Sequence, residues 1–359
     1  MSEVKYLNKI HTNFSINGCQ FESVEDLISY SESISDEVFL FLKDWFNADD
    51  FIVVQTSGST GKPKAIKIKK EFMVNSALAT GDFFNLKEGT TALLCLSPNY
   101  IAGKMMLVRA LVLGCHLDVV NPSSHPLDGH HKMYDFCAMI PLQVQNSLLK
   151  LDRIKTLIVG GAPLDKNIEE KLQKLKIRVF ATYGMTETLT HIAVKQLNNC
   201  RTNVTSSAVE TPFKDSFKTL PNVSISKDAR GCLVIKAPKI SDKPIITNDL
   251  IDILDSQHFK WLGRYDTIIN SGGIKIIPEM VEQKLTSILP FRFFITSLPD
   301  KKLGEKVTLV CEGKAQSLEK YQIEKVLSKY ENPKQLFFVD QFIETDTHKI
   351  NRKATLKLI

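Results

Sequence analysis

Three observations predict an α/β fold: a large layered domain with a mainly parallel sheet, followed by a small α+β domain. Between residues 70 and 182, strand-like and helix-like patterns alternate, the arrangement that builds parallel sheets with helices across their faces. The chain has 359 residues, more than one average domain. Beyond Tyr265–Asp266 the pattern changes to strands and two helices packed into a short span. Domains are therefore expected over 1–265 and 266–359.

Taken in order, Val24, Leu27 and Ile28, then Val38, Phe39, Phe41, Leu42, Trp45 and Phe46, fit one or two amphipathic helices. Phe51–Val54 is an apolar, β-branched-rich run and Ala65–Lys69 alternates, so the residues between them form a loop on a hairpin. Next come a helix over Glu71–Phe84, a strand at Ala92–Leu96, a helix at Gly103–Leu113 and a strand at His116–Val120. A strand at Thr156–Val159 leads to a helix over Asp165–Leu175, with Ile168, Leu172 and Leu175 on one face, and a strand at Arg178–Thr182. Ligands of such sheets bind beyond the carboxyl ends of the strands. Gly160 follows one strand and Tyr183 another, which puts both on that rim. Residues 198–230 are polar and turn-rich. Strands follow at Gly231–Lys236 and Leu250–Leu254. The last segment has a helix from Pro278, strands at Phe293–Thr296 and Val307–Cys311, a helix near Leu318–Tyr330 and a strand at Gln335–Val339.

Composition narrows the class. With 43% hydrophobic and 24% charged residues the chain is an ordinary globular protein. No apolar run approaches the roughly 20 residues of a membrane span, and Met1–Lys5 lacks the layout of a signal peptide. The seven cysteines form no C-x-x-C pair; reduced, buried thiols in a cytoplasmic protein fit them better than disulfides or zinc. A net charge of +6, carried by scattered lysines, does not point to nucleic acid. His130 and His131 are adjacent, so they do not converge on a metal.

The loop Thr56-Ser57-Gly58-Ser59-Thr60-Gly61-Lys62-Pro63-Lys64 suits an anion. Its glycines let backbone N–H groups turn inward, its hydroxyls donate, and its lysines bring positive charge. It is not a Walker A loop, because Gly58 and Gly61 are too close and Pro63 follows the lysine.

Together with Tyr183-Gly184-Met185-Thr186-Glu187, this loop resembles the adenylate-forming (AMP-binding) superfamily of acyl-CoA ligases, luciferases and adenylation domains. Four further pieces occur in the family's order: Gly160-Gly161-Ala162-Pro163-Leu164; Asp249; Gly263-Arg264-Tyr265-Asp266 with Ser271-Gly272-Gly273; and Lys349-Ile350-Asn351-Arg352. The resemblance runs from about residue 50 to the C-terminus, and implies that the first domain is shortened at its N-terminus and that the second, 266–359, is a mobile domain carrying the catalytic lysine.

It implies ATP, Mg²⁺ and coenzyme A as cofactor and co-substrates. Residues Thr56, Ser57, Gly58, Ser59, Thr60, Gly61 and Lys64 would cradle the β- and γ-phosphates. Thr186 would donate to the α-phosphate and Glu187 would hold Mg²⁺, a hard cation that favours oxygen ligands. Tyr183 would lie against adenine beside a wall of Gly160, Gly161 and Ala162. Asp249 and Arg264 would take the ribose, and Gly272 and Gly273 would face CoA. Lys349 corresponds to the catalytic lysine, although His348 stands where the family has glycine.

Within the superfamily, Ile101–Arg109 resembles the o-succinylbenzoate–CoA ligases of menaquinone biosynthesis, which carry an arginine at the place of Arg109. That resemblance implies a small-molecule aromatic diacid, with Arg109 on its non-reacting carboxylate and His191 lining the acyl pocket. A different acid, delivered to CoA or to a carrier arm, and a non-catalytic nucleotide-binding relative stand as alternatives.

Overall fold

The structure, a computed structural model, describes residues 7, 9–55, 65–198, 213, 215–315, 318, 322–345 and 350–359. Contacts divide the chain into two compact units. The first takes Met1–Ile225, Ile235–Ile245 and Asp255–His258; the second takes Ser226–Val234, Ile246–Leu254 and Phe259–Ile359.

The first unit begins with β1 (Ser15–Ile16) and two short helices, α1 (Val24–Ser31) and α2 (Asp36–Phe46). Ser23 and Ser35 start them by accepting from Asp26 N and Val38 N, which satisfies amides that the first turn leaves open. Helix α2 then buries Val38, Phe41, Leu42 and Trp45. Strands β2 (Phe51–Gln55) and β3 (Ala65–Lys69) pair antiparallel from Phe51–Lys69 to Gln55–Ala65, as the hairpin reading requires. The loop 56–64 lies outside the described residues.

The layered core follows: α3 (Lys70–Phe84), β4 (Thr91–Leu94), α4 (Ile101–Leu113), β5 (His116–Val119), β6 (Tyr134–Met139), α5 (Pro141–Ser147), β7 (Ile154–Val159), α6 (Lys166–Leu172), β8 (Arg178–Gly184), β9 (His191–Gln196) and β10 (Phe217–Thr219). In the order β1-β5-β4-β6-β7-β8 every pairing is parallel. Strands β9 and β10 extend the sheet antiparallel. Leu93, Cys137, Leu157 and Val179, one from each of four neighbouring strands, share a core with Val144 and Leu172 of the covering helices. Strand β6 was not foreseen. Asp135 interrupts its apolar run, and the structure uses that carboxylate to take the amide and hydroxyl of Thr91 at 2.9 and 2.7 Å.

Strands β11 (Ser224–Lys227) and β12 (Cys232–Lys236) are divided between the units. The second holds most of β13 (Ile245–Ile253) and β14 (His258–Arg264), an antiparallel pair. Its small sheet has β15 (Ile269–Ser271), β16 (Ile274–Ile276), β17 (Phe293–Asp300), β18 (Gly304–Glu312) and β19 (Gln335–Val339), with α7 (Pro278–Leu285), α8 (Ile323–Val326) and α9 (Arg352–Thr355). Pairing is antiparallel except for β18 with β19. Val281 and Leu285 of α7 bury against Ile295, Val307 and Leu309. The helix expected near Leu318–Tyr330 is reduced to Ile323–Val326. Gln322 enters it with left-handed backbone (φ 50°) and no side-chain cap, and Ser328–Asn332 closes into a turn whose amide at Ser328 is taken by Glu331.

Among the described residues, no helix is long and apolar enough to cross a membrane. Six cysteines are free, and all but Cys19 are buried; Cys200 lies outside the described residues.

Candidate active site

The rim expected at the carboxyl ends of the strands is formed in the first unit. Strands β7 and β8 lie side by side, with Val159 opposite Ala181, so Gly160 leaves the sheet beside Thr182. An added Cβ at Gly160 would stand 2.7 Å from Thr182 Oγ1, a hydroxyl that donates to Val159 O. Gly161 and Ala162 follow on the same rim. Tyr183 is half-buried and meets the edge of Phe217, with ring centroids 5.7 Å apart.

Directly after β8, Thr186–Thr188 make a single 3₁₀ turn. Buried Thr188 pins it: its Oγ1 accepts from Met185 N at 2.9 Å and lies 2.7 Å from Thr190 O. Leu189 closes the turn at φ 67°, ψ −58°, a conformation costing a branched residue about 1–3 kcal/mol. The strain is held by packing, since Leu189 itself is buried. The outcome is a fixed turn with Thr186 half-buried and Glu187 exposed.

Glu187 makes no ion pair among the described residues. Nor, among the described residues, does a group of three or more His, Cys, Asp or Glu gather there. A single free carboxylate fits Mg²⁺, which binds through one or two carboxylates plus substrate phosphates and water, and does not fit a closed structural cage.

Arg109, the residue expected to meet the non-reacting carboxylate, is buried. It lies on α4 with only 3% of its surface exposed. Its Nε is 3.4 Å from Thr80 Oγ1, Nη2 is 3.3 Å from Thr190 Oγ1, and Nη1 faces Met106 Sδ at 3.7 Å. Among the described residues no carboxylate meets it. Burial brings its pKa down to about 10. Thr80 is itself committed to Ser76 O at 2.9 Å, and Ser76 Oγ lies 3.3 Å from Thr190 Oγ1. Ser76 in turn lines a cavity of about 200 Å³, together with Asn75, His191 and Lys239 among others. His191 is 8% exposed and its Nε2 has no partner among the described residues. Burial, and then the neighbouring Arg109 charge, hold its pKa well below the ordinary histidine value.

The second unit brings Asp249 and Arg264 together. They are direct partners across β13 and β14, with Arg264 Nη1 3.9 Å from Asp249 Oδ1. Arg264 mainly grips Asp266, at 2.9 and 3.1 Å. Asp249 is buried, and Trp261 Nε1 donates to its Oδ1 at 3.2 Å. Gly272 (φ 62°) and Gly273 (φ 83°) form the two-residue turn between β15 and β16, the left-handed pair that such hairpins favour. An added Cβ at Gly273 meets no atom within 4 Å, so the glycine answers a backbone requirement. Lys349, like the loop 56–64, lies outside the described residues.

Sequence reasoning missed Trp261, Thr80 and Thr190. Thr190 had a local signal, a hydroxyl three residues past Glu187. Trp261 had none, because only strand register sets it beside Asp249.

The sequence profile described as AMP-binding enzyme matches residues 19–222. A 2-succinylbenzoate–CoA ligase of Bacillus cytotoxicus is 24% identical over 374 residues, covering 94% of this chain and 75% of its own. One from Enterococcus faecalis is 26% identical over 365 residues, covering 92% and 73%. Among solved structures, an acyl-CoA synthetase (AMP-forming)/AMP-acid ligase II-like protein from Dyadobacter fermentans is 36% identical, with a TM-score of 0.59 and coverage of 90% and 93%. The O-succinylbenzoate coenzyme A synthetase of Bacillus subtilis, solved with ATP and magnesium ion, has a TM-score of 0.69 at 19% identity, covering 93% and 82%.

Proposed function

The chain belongs to the AMP-binding enzymes, and from that premise we propose that it is an AMP-forming acid–CoA ligase acting on an aromatic keto-diacid of the 2-succinylbenzoate kind. The observation that carries the choice of acid is Arg109: a buried guanidinium with hydroxyl neighbours and, among the described residues, no carboxylate, linked through Thr190 to Ser76, which lines a cavity. Holding such a charge out of water without an anion is unfavourable. A second carboxylate on the substrate would supply the anion and gain a charge-assisted, forked contact. The names of the relatives support the same acid.

The chemistry follows from charge. A substrate carboxylate oxygen attacks the α-phosphorus of ATP, and the bond to pyrophosphate breaks. The CoA thiol then attacks the acyl carbonyl, and AMP leaves. Both reactants in the first step are anions, so the residues around them must hold negative charge in a fixed geometry. The loop 56–64 holds the outer phosphates, Thr186 donates to the α-phosphate, Tyr183 and the Gly160–Ala162 wall take the adenine, and Asp249 and Arg264 take the ribose. Glu187 would hold Mg²⁺, which supplies screening of phosphate charge when bound. Lys349 neutralises charge between carboxylate and α-phosphate. Residues 266–359 act as the mobile domain that turns about Tyr265–Asp266 and brings Gly272–Gly273 to CoA. Buried, free cysteines support a reducing, cytoplasmic setting.

The test is thioester formation over a panel of aryl and aliphatic mono- and diacids with ATP, Mg²⁺ and CoA. The reading requires 2-succinylbenzoate to have the highest kcat/KM. A monoacid as good as its diacid counterpart overturns it.

A further inference from the structure

The chain on both sides of Lys349 is fastened to the second unit at several points. Upstream, Arg292 Nη2 donates to Glu344 Oε1 at 2.6 Å. Glu344 also bridges to Ile350, the residue after Lys349, and Asn351 N donates to Ile343 O at 2.7 Å. Downstream, Arg352 grips Glu282 of α7 with both arms of its fork: Nη1–Oε1 and Nη2–Oε2 are each 2.9 Å. The same Glu282 Oε1 accepts Ile295 N at 2.8 Å, and Arg352 Nη1 reaches Ile295 O at 3.3 Å. The guanidinium lies 5.5 Å from the centre of the Phe294 ring.

This ion pair is not the tail's only tie. The Asn351 side chain caps α9 through Ala354 N, and Thr355 Oγ1 accepts from Ile343 N. The Glu282 side chain is only 18% exposed, and desolvating a charge pair offsets most of what the pair returns. What a forked contact adds is direction. Arg352 is three residues past Lys349, so whatever fixes its fork fixes where the chain emerges behind the lysine.

We propose that the Glu282–Arg352 ion pair is a positioning device for Lys349, fixing the Ile350–Arg352 chain that follows it, for adenylate formation and for no other step. The inference rests on the assignment of Lys349 made above. A long, flexible lysine stem needs its base held firmly, because a misplacement of about 1 Å can cost on the order of 10²-fold in rate.

The experiment compares Glu282→Gln, Arg352→Lys and Lys349→Ala in the full-length chain. Pyrophosphate release from acid plus ATP reads adenylate formation; thioester production from supplied acyl-adenylate plus CoA reads the second step. Glu282→Gln should lower kcat of the first step by on the order of 10²-fold with KM for ATP unchanged, and leave the second step intact. Arg352→Lys, keeping the charge but not the fork, should fall between Glu282→Gln and the native protein; it decides the matter alone if Glu282→Gln fails to fold. Equal losses in both steps overturn the proposal, since they mark a structural role. So does an unchanged first step in Glu282→Gln when Lys349→Ala abolishes it, and there the assignment of Lys349 survives. If Lys349→Ala is silent in the first step, that assignment fails and the proposal falls with it.

Discussion

Arg109 Nη2 stands 3.3 Å from Thr190 Oγ1, three residues beyond Glu187, so the expected metal carboxylate and the hydroxyl that faces the buried cation belong to one short stretch of chain. The turn at Thr186–Thr188 and the strained Leu189 set the direction in which Thr190 and His191 enter the core. In the proposed function this stretch joins the turn that would face phosphate to the hydroxyl beside the arginine that would face the acyl group.

Arg109→Met should raise KM for a diacid by an amount worth about 2–5 kcal/mol, the range for breaking a buried charge pair. The matching monoacid should be barely affected. Because, among the described residues, this charge has no counter-ion, the substitution should not lower the melting temperature. Equal KM losses on both acids would mark Arg109 as structural.

Stability should carry the signature of His191. Its pKa in the folded protein is depressed, first by burial and then by Arg109. As pH falls below the ordinary value of about 6.5, the unfolded chain takes up a proton that the folded chain refuses. The contribution is thus complete above about pH 6.5 and is lost below it, by about 1.4 kcal/mol per pH unit. Urea melts at pH 7.5, 6.5 and 5.5 should show a steeper acid loss in the native protein than in His191→Gln. Parallel curves would refute the assignment.

Much of this was legible locally. β-Branched runs marked β2, β3 and β7, and Gly160 and Tyr183 fell on the rim because each directly follows a strand. The burial of Arg109 was not legible. Helix α4 buries residues all round, from Met105 to Val112, and a helix apolar on every side has no periodicity to show which way an arginine points. Trp261 and Asp249 meet through the bulged register of β13 and β14, a long-range pairing without a local pattern. The short α8 was over-read for the opposite reason: its apolar spacing suited a helix, but Gln322 supplies no cap.

Glu187 should act through Mg²⁺ and not as a base. The substrate carboxylate is already ionised at neutral pH, so no proton needs removal. Glu187→Gln keeps the shape and removes the charge. Its activity should fall most at limiting Mg²⁺ and recover in part as Mg²⁺ is raised; full activity at limiting Mg²⁺ would refute the role.

Trp261→Phe removes the N–H that holds Asp249 Oδ1 while leaving most of the packing. Losing one hydrogen bond to a partly exposed pair should cost about 1 kcal/mol. Expressed as KM for ATP this is roughly a fivefold rise, with kcat unchanged. Asp249→Asn should lose more. A drop in kcat alone for Trp261→Phe would show that the indole does not work through ribose binding.

Gly273→Ala and Lys349→Ala should fail in opposite halves of the reaction. Gly273 holds φ 83° next to Gly272 at φ 62°, and an added Cβ would meet no atom within 4 Å. Alanine there changes the turn and not its packing, at a cost of about 1–2 kcal/mol for the left-handed backbone. If this turn faces CoA, the damage belongs to thioester formation: pyrophosphate release from acid plus ATP should persist while conversion of supplied adenylate falls. Lys349→Ala should do the reverse. Removing one preorganised donor costs about 10²–10³ in rate where negative charge accumulates, and the attack of CoA on the neutral acyl carbonyl makes no comparable demand. Synthetic adenylate plus CoA, run beside acid plus ATP for both variants, separates the two. Parallel losses in Gly273→Ala would assign its turn to folding and remove it from the thioester site.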